Sequence, residues 1–130
     1  MALFTWNDDL SVGHTFIDDD HKKLVTMVNS FHDAMEQGRG REVIGKVLRN
    51  LVVYTQEHFG REEAEMRRIG YPGFPAHKAA HDKLIREVTE LQNGFASGNT
   101  LLTVKISLFL RDWLLTHIKQ TDKLLAAALN

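Results

Sequence analysis

Apolar residues recur every three or four positions along four long stretches of the chain, the period of one buried helical face. The first stretch, about 18–37, aligns His21, Leu24, Val25, Val28, His32 and Met35. Asp18 fits as its N-cap, Asp19 and Asp20 bring negative charge to the first turn, and Gly38-Arg39-Gly40 ends it. The second, 41–69, aligns Val43, Val47, Leu51, Tyr54, His58, Glu62 and Met66, with Arg49, Gln56, Arg61, Arg67 and Arg68 largely elsewhere. A turn dense in breakers, Gly70-Tyr71-Pro72-Gly73-Phe74-Pro75, leads to a third helix, 75–95, whose inward residues are His77, His81, Leu84, Ile85, Val88, Leu91 and Phe95. Ala96-Ser97-Gly98-Asn99 closes it, and Asn99 or Thr100 caps a fourth, 100–119, with Leu102, Ile106, Phe109, Trp113, Leu114 and His117 facing in. Residues 121–129 are a short C-terminal helix. Residues 1–17 show no helical period and read as an extended arm from which Trp6 and Phe16 pack on the body.

Four amphipathic helices joined by short connections make antiparallel neighbours. The expected fold is therefore all-α, an up-down-up-down four-helix bundle with an extended N-terminal arm, forming one domain over 1–130. In that topology the first and third helices start at the end where the second and fourth finish. His21, His58, Glu62, His77, His81 and His117 all fall at that end. Within Tyr54 to His81, the pairs His58-x-x-x-Glu62 and His77-x-x-x-His81 each share a face, because positions four apart differ by roughly 40° around a helix. A single histidine on an apolar stripe is more often a core residue than a ligand. Five imidazoles and an acid converging in one core reverse that reading, since burying them unpaired is costly and a metal gives all of them a partner.

Composition narrows the chemistry. There is no cysteine, which excludes disulfides, thiolate sites and iron–sulfur clusters and leaves His and carboxylates as the ligands of any transition metal. Imidazole suits several metals, so ligand type alone leaves zinc and manganese open beside iron. The 16 Lys+Arg nearly balance 17 Asp+Glu, which gives no electrostatic case for a nucleic acid or an anionic membrane. The most apolar segment, Leu101 to Leu115, is broken by Lys105, Arg111 and Asp112, and the opening MALFTWNDD lacks the pattern of a signal peptide. No stable membrane insertion is expected; the expectation is a cytoplasmic monomer.

Other candidates separate by geometry. His32 shares the face of His21 but lies about 16 Å further along the axis, out of reach of the same site. His14, in the irregular arm, is read as a surface residue or a support for a ligand. Glu63 is rotated about 100° from Glu62 and is read as solvated. Asp122 follows His117 by five residues, about 140° apart on a regular helix, so both reach one centre only if the helix is distorted between Thr116 and Thr121. Spacing alone leaves Asp122 open between an exposed residue and a ligand.

Together these residues resemble the hemerythrin family, specifically its single-domain bacterial members. The matching motifs are Trp6 with Ser11-Val12-Gly13, Ile17-Asp18-x-x-His21-x-x-Leu24, His58-Phe59-x-x-Glu62-Glu63, Gly70-Tyr71-Pro72, His77-Lys78-x-x-His81 and Trp113-Leu114-x-x-His117-Ile118-x-x-x-Asp122. The resemblance implies two non-haem iron ions with an oxo or hydroxo bridge, and dioxygen as ligand. It implies His77, His81 and His117 on one iron, His21 and His58 on the other, and Glu62 and Asp122 bridging them. Of roughly twelve octahedral positions, that set and the bridging oxygen leave one vacant, on the iron with only two histidines. Phe59, Trp113, Leu114 and Ile118 would wall the oxygen pocket against water and protons. His14 puts a titratable ring where an apolar residue would be unremarkable.

The function expected from this resemblance is reversible dioxygen binding, for transport, storage or delivery to an oxygen-consuming enzyme, with no catalytic residue assigned. Two carboxylates supply little negative charge for high-valent iron, in contrast to the Glu-rich, Glu-x-x-His sites of ferritin-like proteins. The alternatives are a di-iron enzyme acting on peroxide, nitric oxide or a small substrate, and an oxygen or redox sensor.

Overall fold

Helix α1 spans Thr15–Glu36, α2 Arg41–Ile69, α3 Phe74–Ala96 and α4 Leu102–Thr116; a wide π turn, His117–Asp122, then leads directly into α5, Lys123–Leu129. The structure is a computed structural model that describes residues 5–38, 41–96, 98 and 102–129. Helix α1 packs on α2 and α4, and α3 packs on the same two, which closes a four-helix bundle; no strand occurs among the described residues. The Leu102 side chain and the end-forming roles of Arg39, Gly40, Ser97, Asn99 and Thr100 lie outside the described residues.

Helix α1 begins before Asp18, with His14 at the N-cap position. The Asp18 carboxylate instead accepts the Ser11 hydroxyl at 2.6 Å and the Val12 N–H at 2.8 Å, fastening the arm to the first turn. The chain bends into that contact at Gly13, whose φ of +77° favours glycine. The arm is not fully extended. Asp8–Leu10 forms a single 3-10 turn with Asn7 as its cap, and Leu10 is buried in the main core.

The buried seam also differs from a straight stripe. In α2, Ile44, Leu48, Leu51, Thr55, His58 and Glu62 are buried, spaced alternately four and three, while Val43 is 42% exposed and Val47 only partly buried. In α1 the seam passes through Phe31 and Ala34 rather than His32 and Met35. This is the 3.5-residue repeat of helices that coil left-handedly around one another; a stripe drawn at i+4 steps drifts off it.

At the other end, α2 stops in a Schellman motif. The Tyr71 N–H reaches the Met66 carbonyl at 2.9 Å and the Gly70 N–H reaches that of Arg67 at 3.3 Å, with Gly70 at φ +62°. Tyr71 then packs with Met66 in a small apolar cluster that also holds Ile17, Leu125, Ala126 and Phe74. A layer of buried His, Glu and Asp side chains separates this cluster from the main core.

Candidate metal centre

Each helix contributes to that layer from its seam: α1 gives His21, α2 His58 and Glu62, α3 His77 and His81, and the π turn after α4 gives His117 and Asp122. All seven are buried, with His21, Glu62 and Asp122 at 0% exposure. The distortion between His117 and Asp122 is the π turn itself. Its i→i+5 winding returns a residue five positions on to the same face, leaving His117 Nε2 3.1 Å from Asp122 Oδ1.

The two carboxylates divide the layer into halves. Glu62 Oε1 lies 3.2 Å from His81 Nε2 and 3.4 Å from His77 Nε2, and Asp122 Oδ1 lies 3.0 Å from His77 Nε2. Their other oxygens face the remaining histidines: Glu62 Oε2 is 3.2 Å from His58 Nε2 and 3.7 Å from His21 Nε2, and Asp122 Oδ2 is 2.9 Å from His21 Nε2. Two groups able to hold a metal result, one of His77, His81 and His117 and one of His21 and His58, with both carboxylates shared.

These spacings fit cations better than they fit hydrogen bonds. Both oxygens of Glu62 and Asp122 and both ring nitrogens of His21 and His77 are buried without an aligned hydrogen-bond partner, close as they are to one another. His81 Nε2 and His117 Nε2 stand 3.1 Å apart. A first-row metal about 2.1 Å from each ligand sets neighbouring octahedral ligands about 3 Å apart, so the atoms behave as corners around common centres.

Two outer carboxylates orient the rings. Asp20 accepts His58 Nδ1 at 2.8 Å, together with the Tyr54 hydroxyl at 2.8 Å and Arg61 Nε at 2.9 Å. Glu63 is not solvated: it accepts His81 Nδ1 at 3.0 Å, because the side of α2 that turns away from Glu62 meets α3. With Nδ1 committed to a carboxylate, each ring presents Nε2 to the layer, the arrangement that fixes the tautomer of metal-binding histidines. Sequence reasoning missed both residues as ring partners; their adjacency to His21 and Glu62 was the available signal.

The charges follow from this packing. Burial alone would raise Asp20, yet His58, Arg61 and Tyr54 hold it well below the usual carboxylate range, while burial and Asp20 push Tyr54 up to about 12. Burial opposes a proton on His58 and His77, but the surrounding carboxylates outweigh it and raise both to about 9. Burial wins at His117 and lowers it. Against a burial cost that would raise it, Glu62 is held well below its usual value by His58, His21 and His77.

A cavity of about 20 Å³ borders the layer at His21, His58, His117 and Asp122. Leu24, Val28, Leu51, Leu84, Leu110 and Leu114 supply apolar wall, with Phe59 and Trp113 beside them. Ile118 is buried in the core but is not part of this wall. The Thr55 hydroxyl, which also borders the cavity, donates to the Leu51 carbonyl at 2.8 Å. Phe59 stacks on His81 with centroids 3.6 Å apart, and Trp113 on His117 at 4.3 Å, so aromatic faces buttress the three-histidine half. His32 is remote and pairs with Glu36 at 3.0 Å, and His14 sits edge-on to Phe16.

The family model of the hemerythrin HHE cation binding domain matches residues 12–129, nearly the whole chain. The chain belongs to the hemerythrin family. It is 42% identical over 131 residues to a bacteriohemerythrin of Methylococcus capsulatus, covering 100% of this chain and 99% of that one. A bacteriohemerythrin of Pseudomonas aeruginosa is 40% identical over 122 residues, 94% of this chain and 78% of its own. The crystal structure of a wild-type hemerythrin superposes with a TM-score of 0.92 at 42% identity, over 98% of both chains. Hemerythrin membership implies a non-haem di-iron centre, and the donor set present fits one. No helix among the described residues of this hemerythrin is long and apolar enough to cross a membrane.

Proposed function

We propose that this hemerythrin binds dioxygen reversibly at a di-iron centre, for transport, storage or delivery to an oxygen-consuming enzyme. His77, His81 and His117 would hold one iron, His21 and His58 the other, and Glu62 and Asp122 would bridge them. The irons would supply the electrons on which dioxygen binding draws. The observation that carries the reading is a small, largely apolar cavity against the layer: it touches both histidines of the half with one fewer, His21 and His58, but only His117 of the three on the other half. A cavity needs about 10–15 Å³ to admit a water-sized molecule, so this one suits a diatomic and little more.

The protein's own task is to orient and exclude. Asp20 and Glu63 hold the rings of His58 and His81, and the leucine wall keeps bulk water away from the site. The one hydroxyl among the cavity-lining residues is committed to a backbone carbonyl, so it offers no ready proton to a bound molecule. That favours binding over turnover. The test is optical: protein reduced under nitrogen is exposed to air and then returned to nitrogen. A new absorption that appears and reverses is expected; a one-way conversion with no recoverable reduced form would sink the reading.

A further inference from the structure

We propose that dioxygen reaches the cavity through the cleft between α2 and α3, and that the ring of Phe59 is the gate between the two hollows. The proposal rests on the reading that this site binds dioxygen. On the inner side of Phe59 is the cavity of about 20 Å³; on its outer side is a surface cleft of about 430 Å³ bordered by Gln56, Gly60, Glu63, Asp82, Ile85 and Arg86. Phe59 lines both and is the one residue they share. Two other grooves, one over Gly45 and Phe95 and one over Tyr71 and Leu124, share no wall residue with the cavity. Toward α1 and α4 the cavity is walled by Leu24, Val28, Leu110 and Leu114, buried as Phe59 is, and by the partly buried Trp113, so it is the shared wall rather than burial that singles out Phe59.

The gate is shut in this structure. Phe59 is 4% exposed, lies parallel to His81 and stands 5.7 Å from the Trp113 ring at 53°. Passage requires that ring to swing, a side-chain motion rather than an opening of the bundle. Gly60 marks the mouth. It is exposed on α2, and a Cβ added there would meet nothing within 4 Å, so packing does not call for a glycine that weakens a helix interior. What the missing side chain does is leave the cleft clear beside Phe59.

The route is tested with two variants and two readouts. Gly60→Phe narrows the mouth and replaces no metal-site residue, in a cleft that His81 and Glu63 also border, and Phe59→Ala removes the gate. In the reduced di-iron protein, stopped-flow mixing with dioxygen should show association slowed by Gly60→Phe and accelerated by Phe59→Ala, each roughly tenfold, about 1.4 kcal/mol of barrier. The second readout needs no iron: in the zinc-loaded Trp6→Phe background Trp113 is the sole remaining tryptophan, and it borders the cavity. Quenching of its emission by dissolved dioxygen should rise and fall in the same order. A parent protein that forms no dioxygen adduct overturns the dioxygen reading, whereas a normal adduct with association and quenching unchanged in Gly60→Phe overturns the route. Should Phe59→Ala lose iron through its contact with His81, the result for Gly60→Phe in both readouts decides.

Discussion

Asp122 Oδ1 lies 3.1 Å from His117 Nε2 only because the backbone between them winds as a π turn. On a regular helix the two side chains would diverge by about 140°. Deleting the exposed Gln120 brings Asp122 to four positions after His117, about 40° away on a regular helix, so the variant should wind as an α-helix, keep both side chains in the layer and bind the full complement of metal, whereas Asp122→Asn should bind less. Metal analysis of the purified variant beside Asp122→Asn, which removes the charge without moving the backbone, checks it. Full loading of both variants would show that Asp122 is dispensable.

The outer carboxylates give a second prediction. Asp20→Asn and Glu63→Gln should each weaken metal retention, roughly 10- to 100-fold, because His58 and His81 lose the charged acceptor that fixes their rings and raises their basicity. Competition with a chelator measures the change. Tyr54→Phe removes a donor to Asp20 but none of the His58 contact, so it should retain metal almost as the parent does.

How much of this was readable beforehand depends on the kind of pattern. Amphipathic period and breakers were enough for the bundle, and i, i+4 pairs were enough to gather histidines at one end. The seam was misjudged at Val43 and Met35 because supercoiling is set by the neighbouring helices and changes which residue faces in. Glu63 was misread because a rotation of about 100° away from Glu62 leads to solvent only if no helix stands there, and α3 does. Asp18 looked like a cap when only its own helix was considered; its partners are Ser11 and Val12 in the arm.

Protonation supplies a prediction for the metal-free chain. His58 and His77 are raised from 6.5 to about 9, so the folded state binds their protons more tightly than the unfolded state does. That stabilisation is fully present below 6.5 and is lost as pH rises toward 9. The metal-free chain should therefore melt several degrees lower at pH 9 than at pH 6.5, while metal affinity rises over the same window as the protons leave. Thermal melts with and without metal check both signs; a metal-free Tm that climbs with pH would contradict them.

Leu114→Ala enlarges the cavity without removing a ligand. A loss of about 2–5 kcal/mol of stability is expected for a buried leucine truncated to alanine. Metal content should be unchanged, and the oxygenated form should oxidise irreversibly sooner because water gains entry. Denaturant unfolding and the decay of the oxygenated spectrum provide the measurements, and an unaltered decay would remove Leu114 from the protective wall.

The buried polar layer also divides the core, with the large apolar cluster on one side and the small cluster of Ile17, Met66, Leu125 and Ala126 on the other. These four side chains come from the start of α1, the end of α2 and α5, so they are what clasps the bundle shut beyond the metal centre. Few buried apolar groups do that work, and without metal the layer beneath them rests on protonated His58 and His77 set against Glu62 and Asp122. Filling the centre should therefore tighten this end, whereas the opposite end, built on Phe31, Leu48 and Val88, should gain little from it. Seen through amide exchange, the molecule should behave as two units, with protection around α5 rising and falling with metal and the far half indifferent to it.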